Sequence, residues 1–418
     1  MTLPRAGAPA ATALLAFATA FLPAAPALAE EPLPPRYELL FSPTLEAESG
    51  ARLVSSAVTG TAAGEERLFR PLGPGPGGAV ARGARTIVWD APVAWWYGVV
   101  LHEALGHGGR AREFNASPGV HLGSPWGGRD SYASFDLAGT SSEERLYIYA
   151  GGTEANTLAA TLLERRAVEG VRMRPIELLY LLSNRLVASD YVLRTTPDPR
   201  TDPAGFYGEY QGGGDVANYL GSLHELHDGD SGITPTAVDA IIEREYRRLR
   251  RQAYWNVLDP GAWWALATAL RLAARGDDTA AVPLPRAGRF HFLPVLSSQW
   301  TPSGGGASLE WIMAPAGPLA RTFSFVARRG RGPSGAFAAL GASAEDIVAA
   351  GRFRLGGAAE AWHDPRGGLG GGARLRARLE RGFLRGLYFD LGVKSQGYWI
   401  GQPATPGPYA AVGLLYLP

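Results

Sequence analysis

Residues 102–107, His102-Glu103-Ala104-Leu105-Gly106-His107, set two imidazoles on either side of a carboxylate inside the apolar stretch VVLHEALGHGGR. Neutral imidazole nitrogens are standing ligands for zinc, and a carboxylate beside them is placed to act as general base on a metal-bound water. The familiar arrangement is H-E-x-x-H, with the histidines at i and i+4 on one helix face. Here the second histidine falls at i+5. In a straight α-helix that rotates it by roughly 140° from the first, too far to share an ion. A π-turn, bonded i→i+5, stacks the two side chains again. The spacing therefore predicts a π-bulge over 102–107, with Gly106 as the natural place for it.

Three ligands make a catalytic zinc site, so a third is expected downstream. A helix opens at Ser141, where Glu144 three residues on completes a capping-box signature. Along it Leu146, Ala150, Glu154, Leu158 and Leu162 form an i+4 stripe, which places Glu154 among apolar neighbours. A carboxylate there needs a cation, either the metal or an arginine. Gly151-Gly152 just before it lets backbone or metal approach closely. Glu154 is taken as the third ligand beside His102 and His107. His224 and His227, at i and i+3 with Val216, Leu220 and Leu223, suit oxyanion donation or a metal of their own. Satisfaction by Glu225, Asp228 or backbone is the plainer reading. His224 is taken as the second catalytic residue after Glu103. Tyr147 and Tyr149 are either electrophilic helpers or core. His121 lies in a Gly/Pro loop, and His291 and His363 fall in the β-region as surface or rim residues.

HEALGH resembles the HExxGH signature of the dipeptidyl peptidase III family of zinc peptidases. The resemblance covers these six residues. It implies that His102 and His107 bind zinc and that Glu103 is the catalytic base. That family's second motif is a Glu-Glu-x-x-basic-Ala-acid run. Downstream this chain offers Gly151-Gly152-Thr153-Glu154-Ala155-Asn156, with one glutamate at a ligand position, and the chain is far shorter than that family's proteins. The pattern also looks like membrane-associated zinc proteases, whose motif keeps the i+4 spacing.

The elements that must position these residues follow from the rest of the chain. Its 418 residues suggest two domains. A formal net charge of +1 favours no nucleic acid partner. With no cysteine, disulfides and thiolate sites are excluded, and any metal must be held by histidines and carboxylates. The start reads as a secretory signal peptide over 1–29: Arg5, the apolar run 11–22, and Ala27-Leu28-Ala29 as cleavage site. Residues 30–85 are rich in Pro, Gly and Ala, with one strand at 37–45 and no assigned chemistry. Residues 86–276 read as helical. The motif helix is expected to start at Asp90 as N-cap and to stop at Gly108-Gly109. Further helices are expected at 175–193, 215–227, 235–255 with Thr234 as N-cap, and 260–275. None is long and charge-free enough to span a membrane.

After Gly276 the period changes from helical to two. About eight antiparallel strands are expected over 277–418, of which 374–380 and 387–394 alternate most clearly. Their length and patterning resemble an outer-membrane β-barrel, with a soluble β-domain as the alternative. The fold class expected is α+β: a helical metallopeptidase-like domain followed by an eight-stranded, barrel-like antiparallel domain. The function expected is an exported metallopeptidase with one Zn²⁺ per chain. It would hydrolyse peptide bonds of a peptide or protein substrate in the periplasm or at the outer membrane of a Gram-negative bacterium. The alternative is a non-enzymatic outer-membrane protein with a structural metal or an inert helical cap.

Overall fold

Capping chemistry sets the long central helix. The Ser141 hydroxyl accepts the Glu144 N–H at 3.3 Å, and the Glu144 carboxylate accepts the Ser141 N–H at 2.7 Å, so two otherwise orphaned donors are satisfied at once. The computed structural model describes residues 37–42, 46–73, 75–127, 131–315, 322–350, 352–381 and 385–416. The signal-peptide reading at 1–29 lies outside them. The helices are α1 (Ala47–Phe69), α2 (Pro76–Arg85), α3 (Ala91–Val100), α4 (Gly108–Glu113), α5 (Ser142–Val168), α6 (Pro175–Asp190), α7 (Pro203–Gly212), α8 (Asp215–Asp228), α9 (Ala240–Val257) and α10 (Pro260–Arg275). Short π-helical turns lie at Thr86–Asp90, Leu101–His107 and Tyr191–Thr195. The stretch read as Pro/Gly-rich thus contributes a 23-residue helix, α1.

Helix α5 is the hub. Ala155, Ala159 and Leu163 pack against Ala47, Ala51 and Val54 of α1 and Ile176 and Leu181 of α6, and small side chains let these helices approach closely. Helix α10 begins and ends as expected. Asp259 caps it by accepting the Ala262 N–H at 2.9 Å, and Gly276 in the left-handed conformation stops it. Helix α9 starts later than expected, capped by Asp239 rather than Thr234, because Thr234 closes a tight turn onto Ala237 instead.

The strands are β1 (Tyr37–Phe41), β2 (Pro118–His121), β3 (Tyr132–Phe135), β4 (Arg286–Ala287), β5 (Phe290–Thr301), β6 (Gly304–Pro315), β7 (Phe323–Gly332), β8 (Gly335–Ala350), β9 (Phe353–Asp364), β10 (Gly368–Arg381), β11 (Arg385–Lys394) and β12 (Gly407–Tyr416). β2 and β3 form a separate hairpin. The others form one antiparallel sheet of ten strands in the order β1-β12-β11-β10-β9-β8-β7-β6-β5-β4. The α+β class holds. The eight-stranded barrel does not: among the described residues the sheet has ten strands, and its two edges, β1 and β4, do not close it. The two additional strands were not legible as partners. β4 is two residues long, and β1 pairs with β12 across almost the whole chain, Leu39 opposite Leu414.

One face of this sheet looks onto α1 and α5 across a cavity of about 100 Å³ lined by residues including Arg165, Gln299, Glu310, Ser324, Arg328 and Glu360. That face is polar and internally paired. Arg376 donates to Asp390 at 2.6 Å and to Glu48 of α1 at 3.0 Å, and Arg328 donates to Glu360 at 2.6 Å. Burial disfavours the ionised forms of these groups, so each stays charged only through its partner. Replacing Arg376 with leucine strands Asp390 without a counter-charge, while Glu48 keeps Arg52 and Arg374. Thermal unfolding should show a loss of about 3–5 kcal/mol. An unchanged melting temperature would mean that the Arg376–Asp390 pair does not stabilise the inner face.

Candidate metal centre

The chain is helical without a break from Pro76 to Glu113, but it changes pitch twice. At Thr86–Asp90 a π-turn precedes Pro92, which lacks the N–H that would return to Val88. The Val88 carbonyl instead accepts the Trp126 indole N–H at 3.1 Å. At Leu101–His107 a second π-turn covers the motif itself, closed by the Gly108 N–H on the Glu103 carbonyl, an i→i+5 bond. The expected bulge is there, although the helix neither begins at Asp90 nor stops at Gly108-Gly109. His102 and His107 lie edge to face with ring centroids 4.6 Å apart.

Glycine enables this by close approach. Gly106 has no positive φ. A Cβ on it would meet the Gly152 Cα at 2.6 Å and the Gly151 carbonyl oxygen at 2.7 Å. A Cβ on Gly152 would meet Nε2 of His102 at 2.5 Å and Nε2 of His107 at 2.6 Å. The π-turn therefore lies directly on α5 at a contact that only glycines permit.

The hydrogen bonds then fix the protons. Nδ1 of His107 donates to the Ile148 carbonyl at 2.7 Å, an acceptor only. Nδ1 of His102 donates to the Asn156 side-chain oxygen at 2.6 Å. The amide of Asn156 is held that way round because its nitrogen donates to the Gly98 carbonyl and to Asn184 Oδ1. With both Nδ1 atoms occupied as donors, both neutral rings present a bare lone pair at Nε2. These two nitrogens sit 3.0 Å apart. Asp215 closes the group, with Oδ2 2.9 Å from Nε2 of His102 and Oδ1 3.2 Å from Nε2 of His107. Three acceptors converge on one point, and the arrangement requires a cation. His102, His107 and Asp215 form a group able to hold a metal ion. Both imidazoles are buried, and Asp215 is the more exposed member at 14 %.

The electrostatics agree. Burial opposes a charge on His107, but Asp215 and Glu103 outweigh it and push its pKa up to about 9. Burial would raise the Asp215 carboxyl, yet the two histidines hold it well below the usual range. Without metal, a proton meets the demand for a cation. Glu103 is buried beside the group. Burial raises its pKa, opposed by both imidazoles and, more weakly, by the backbone at Ala133 of β3. The hairpin that carries Ala133 also sets Phe135 6.0 Å from the His107 ring.

Glu154 is not a ligand in this geometry. Its carboxylate accepts Nε and Nη2 of Arg110 at 2.9 and 2.6 Å and the Gly401 N–H at 2.7 Å, so its cation is an arginine. His224 is equally remote. It lies nine residues beyond Asp215 on α8, about 13 Å away at the helical rise, with Nδ1 on the Asp230 carbonyl at 2.8 Å. His227 is exposed, and Tyr147 packs under Arg110. Three contributors were missed. Asp215 opens α8 after three glycines, where an acid reads simply as favourable to the helix dipole. Asn156 sits within the GGTEAN run, two residues past Glu154. Tyr191 places its ring 5.2 Å from that of His102, on the third π-turn.

No family model, curated protein or solved structure matches this chain.

Two variants separate the ligand from the salt bridge. With zinc as the probe ion, Asp215→Asn should fail to hold one metal per chain in chelator competition, whereas Glu154→Gln should bind as the unaltered chain does and lower only the melting temperature. Asn156→Ala, which frees the His102 ring, should weaken zinc by about 10–100-fold. Retention of zinc by Asp215→Asn with its loss in Glu154→Gln would reverse the assignment.

Proposed function

We propose that this chain is an exported zinc metallopeptidase that hydrolyses peptide bonds in the bacterial cell envelope. The observation that carries the reading is the convergence of two bare Nε2 lone pairs and the Asp215 carboxylate, with both Nδ1 protons locked elsewhere. Two imidazoles and one carboxylate are a donor set that suits zinc, and three protein ligands leave a fourth position for water. Zinc bound there supplies a Lewis acid and brings the pKa of a coordinated water towards neutrality. The leader-like segment 1–29 supports export.

The chain's own residues then divide the work. His102 and His107 keep their ring orientation through Asn156 and Ile148, so the ligand set does not reorganise during turnover. Glu103, one residue from His102, accepts the proton of the attacking water and returns it to the leaving amine. Its raised pKa suits that shuttle. The resemblance of HEALGH to the HExxGH signature supports these same three roles and no exopeptidase specificity. His224 takes no part.

A second reading is a non-enzymatic envelope protein in which the metal ties the π-turn to α5 and α8. The burial of both imidazoles favours it. The two readings part at Glu103, which the structural role does not need. Glu103→Gln should keep about one zinc per chain and lose hydrolysis of an unfolded protein substrate by at least about 10²-fold. Hydrolysis at the wild-type rate by the zinc-loaded variant would leave the structural role standing.

A further inference from the structure

The sheet buries its polar face and exposes its apolar one. On β11, Leu387, Phe389, Leu391 and Val393 are 44–56 % exposed, while Tyr388, Asp390 and Lys394 between them are 1–3 % exposed. A register slip of one residue would exchange the two sets, so the paired charges on the inner face fix this polarity. The pattern continues across neighbouring strands. Leu391 lies opposite Leu375 on β10 and Ala410 on β12, and Leu387 lies opposite Leu414. Farther along, Leu340 on β8 is 69 % exposed and Phe325 on β7 54 %. Outward positions at 336–344 on β8, 353–361 on β9, 371–379 on β10, 387–393 on β11 and 408–414 on β12 carry no Asp, Glu, Lys or Arg. A water-facing surface of this extent is rare, since exposed apolar patches beyond a few hundred Å² mark an interaction site.

We propose that this outer face, from β7 to β12, lies against the hydrocarbon of a phospholipid bilayer. The strands are long enough. They run from 10 to 16 residues, and a tilted strand needs about 9–11 to cross an apolar band of about 25 Å. The border has the right charge. On β7 the outward series passes from Phe325 and Ala327 to exposed Arg329 and Arg331 next to the β7–β8 turn, where anionic headgroups would meet them. Shape argues against a second copy as occupant. Residues from β5 to β10 line a single cavity with α1 and α5, so the sheet curves round those helices and its outer face is convex. Two convex faces touch along few strands, whereas lipid conforms to all of them. The metal centre lies towards the arginine-bordered end. The β11–β12 connection there gives its Gly401 N–H to Glu154 and its Gln402 carbonyl to Arg110, on the helices that carry the site. The lipid contact does not depend on what the metal does.

The cysteine-free chain suits a direct test. Single cysteines at Leu340→Cys and Leu391→Cys (outer face), Arg331→Cys (border) and Ser308→Cys (inner face) are spin-labelled in the full chain. The labelled protein is reconstituted with phosphatidylethanolamine–phosphatidylglycerol vesicles. The two outer labels should collide freely with oxygen and be shielded from a water-soluble nickel complex, and the border label should show the reverse preference. The Ser308→Cys label should reach neither as the outer labels do. Outer labels open to nickel, chain that stays in the aqueous fraction as monomer, or outer labels paired across a lipid-free dimer would each overturn the proposal. No metal or activity enters the readout.

Discussion

The contact between Gly106 and the Gly151-Gly152 pair is the constraint on which the site depends. Two helical segments meet there at a separation that leaves no room for a Cβ on either side. Because the π-turn rests on α5, Nδ1 of His107 reaches the Ile148 carbonyl and Nδ1 of His102 reaches Asn156. A side chain at this contact would lift the π-turn off α5 and release both rings. The unusual i+5 spacing and the glycines are thus parts of one device. The wider turn stacks the histidines, and the missing side chains let them dock.

Docking determines the chemistry. Once both Nδ1 protons point away from the group, the remaining ring nitrogens repel each other and the Asp215 carboxylate unless a positive charge lies among them. A proton on His107 can fill that role, as its raised pKa indicates, and a divalent ion fills it with all three ligands engaged. Among the described residues no arginine or lysine pairs with Asp215, whose ion-pair partners are the two histidines. Arg110, three residues beyond His107, is engaged by Glu154, Glu113 and the Gln402 carbonyl. Glu154 therefore belongs to the scaffold: it anchors the loop after β11 to the helix that carries the histidines.

The sequence was legible where a signal is local. The π-turn followed from one spacing, the Ser141 cap from two residues, and the alternation in β11 from period two. Signals that depend on distant partners were harder. The apolar stripe marks Glu154 as a buried carboxylate in need of a cation, but stripe position cannot distinguish a metal from an arginine 44 residues away. Asp215 comes from a helix 113 residues beyond His102, and nothing around it separates a ligand from an ordinary first-turn acid. The strand count failed for a related reason, since β1 finds its partner in β12 only after the whole intervening chain has folded.

The inner face of the sheet and the metal group obey the same rule, that buried charge persists only where an opposite charge is fixed against it. In the sheet the arginines supply it, and at the π-turn the chain supplies ligands and leaves the cation to be bound. X-ray absorption at the zinc edge of the purified protein tests that claim most directly. The account predicts one zinc with two imidazole nitrogens at about 2.0–2.1 Å and oxygen donors in the remaining positions. Protein that binds no zinc at stoichiometric concentration, or a shell with one imidazole or none, would contradict it.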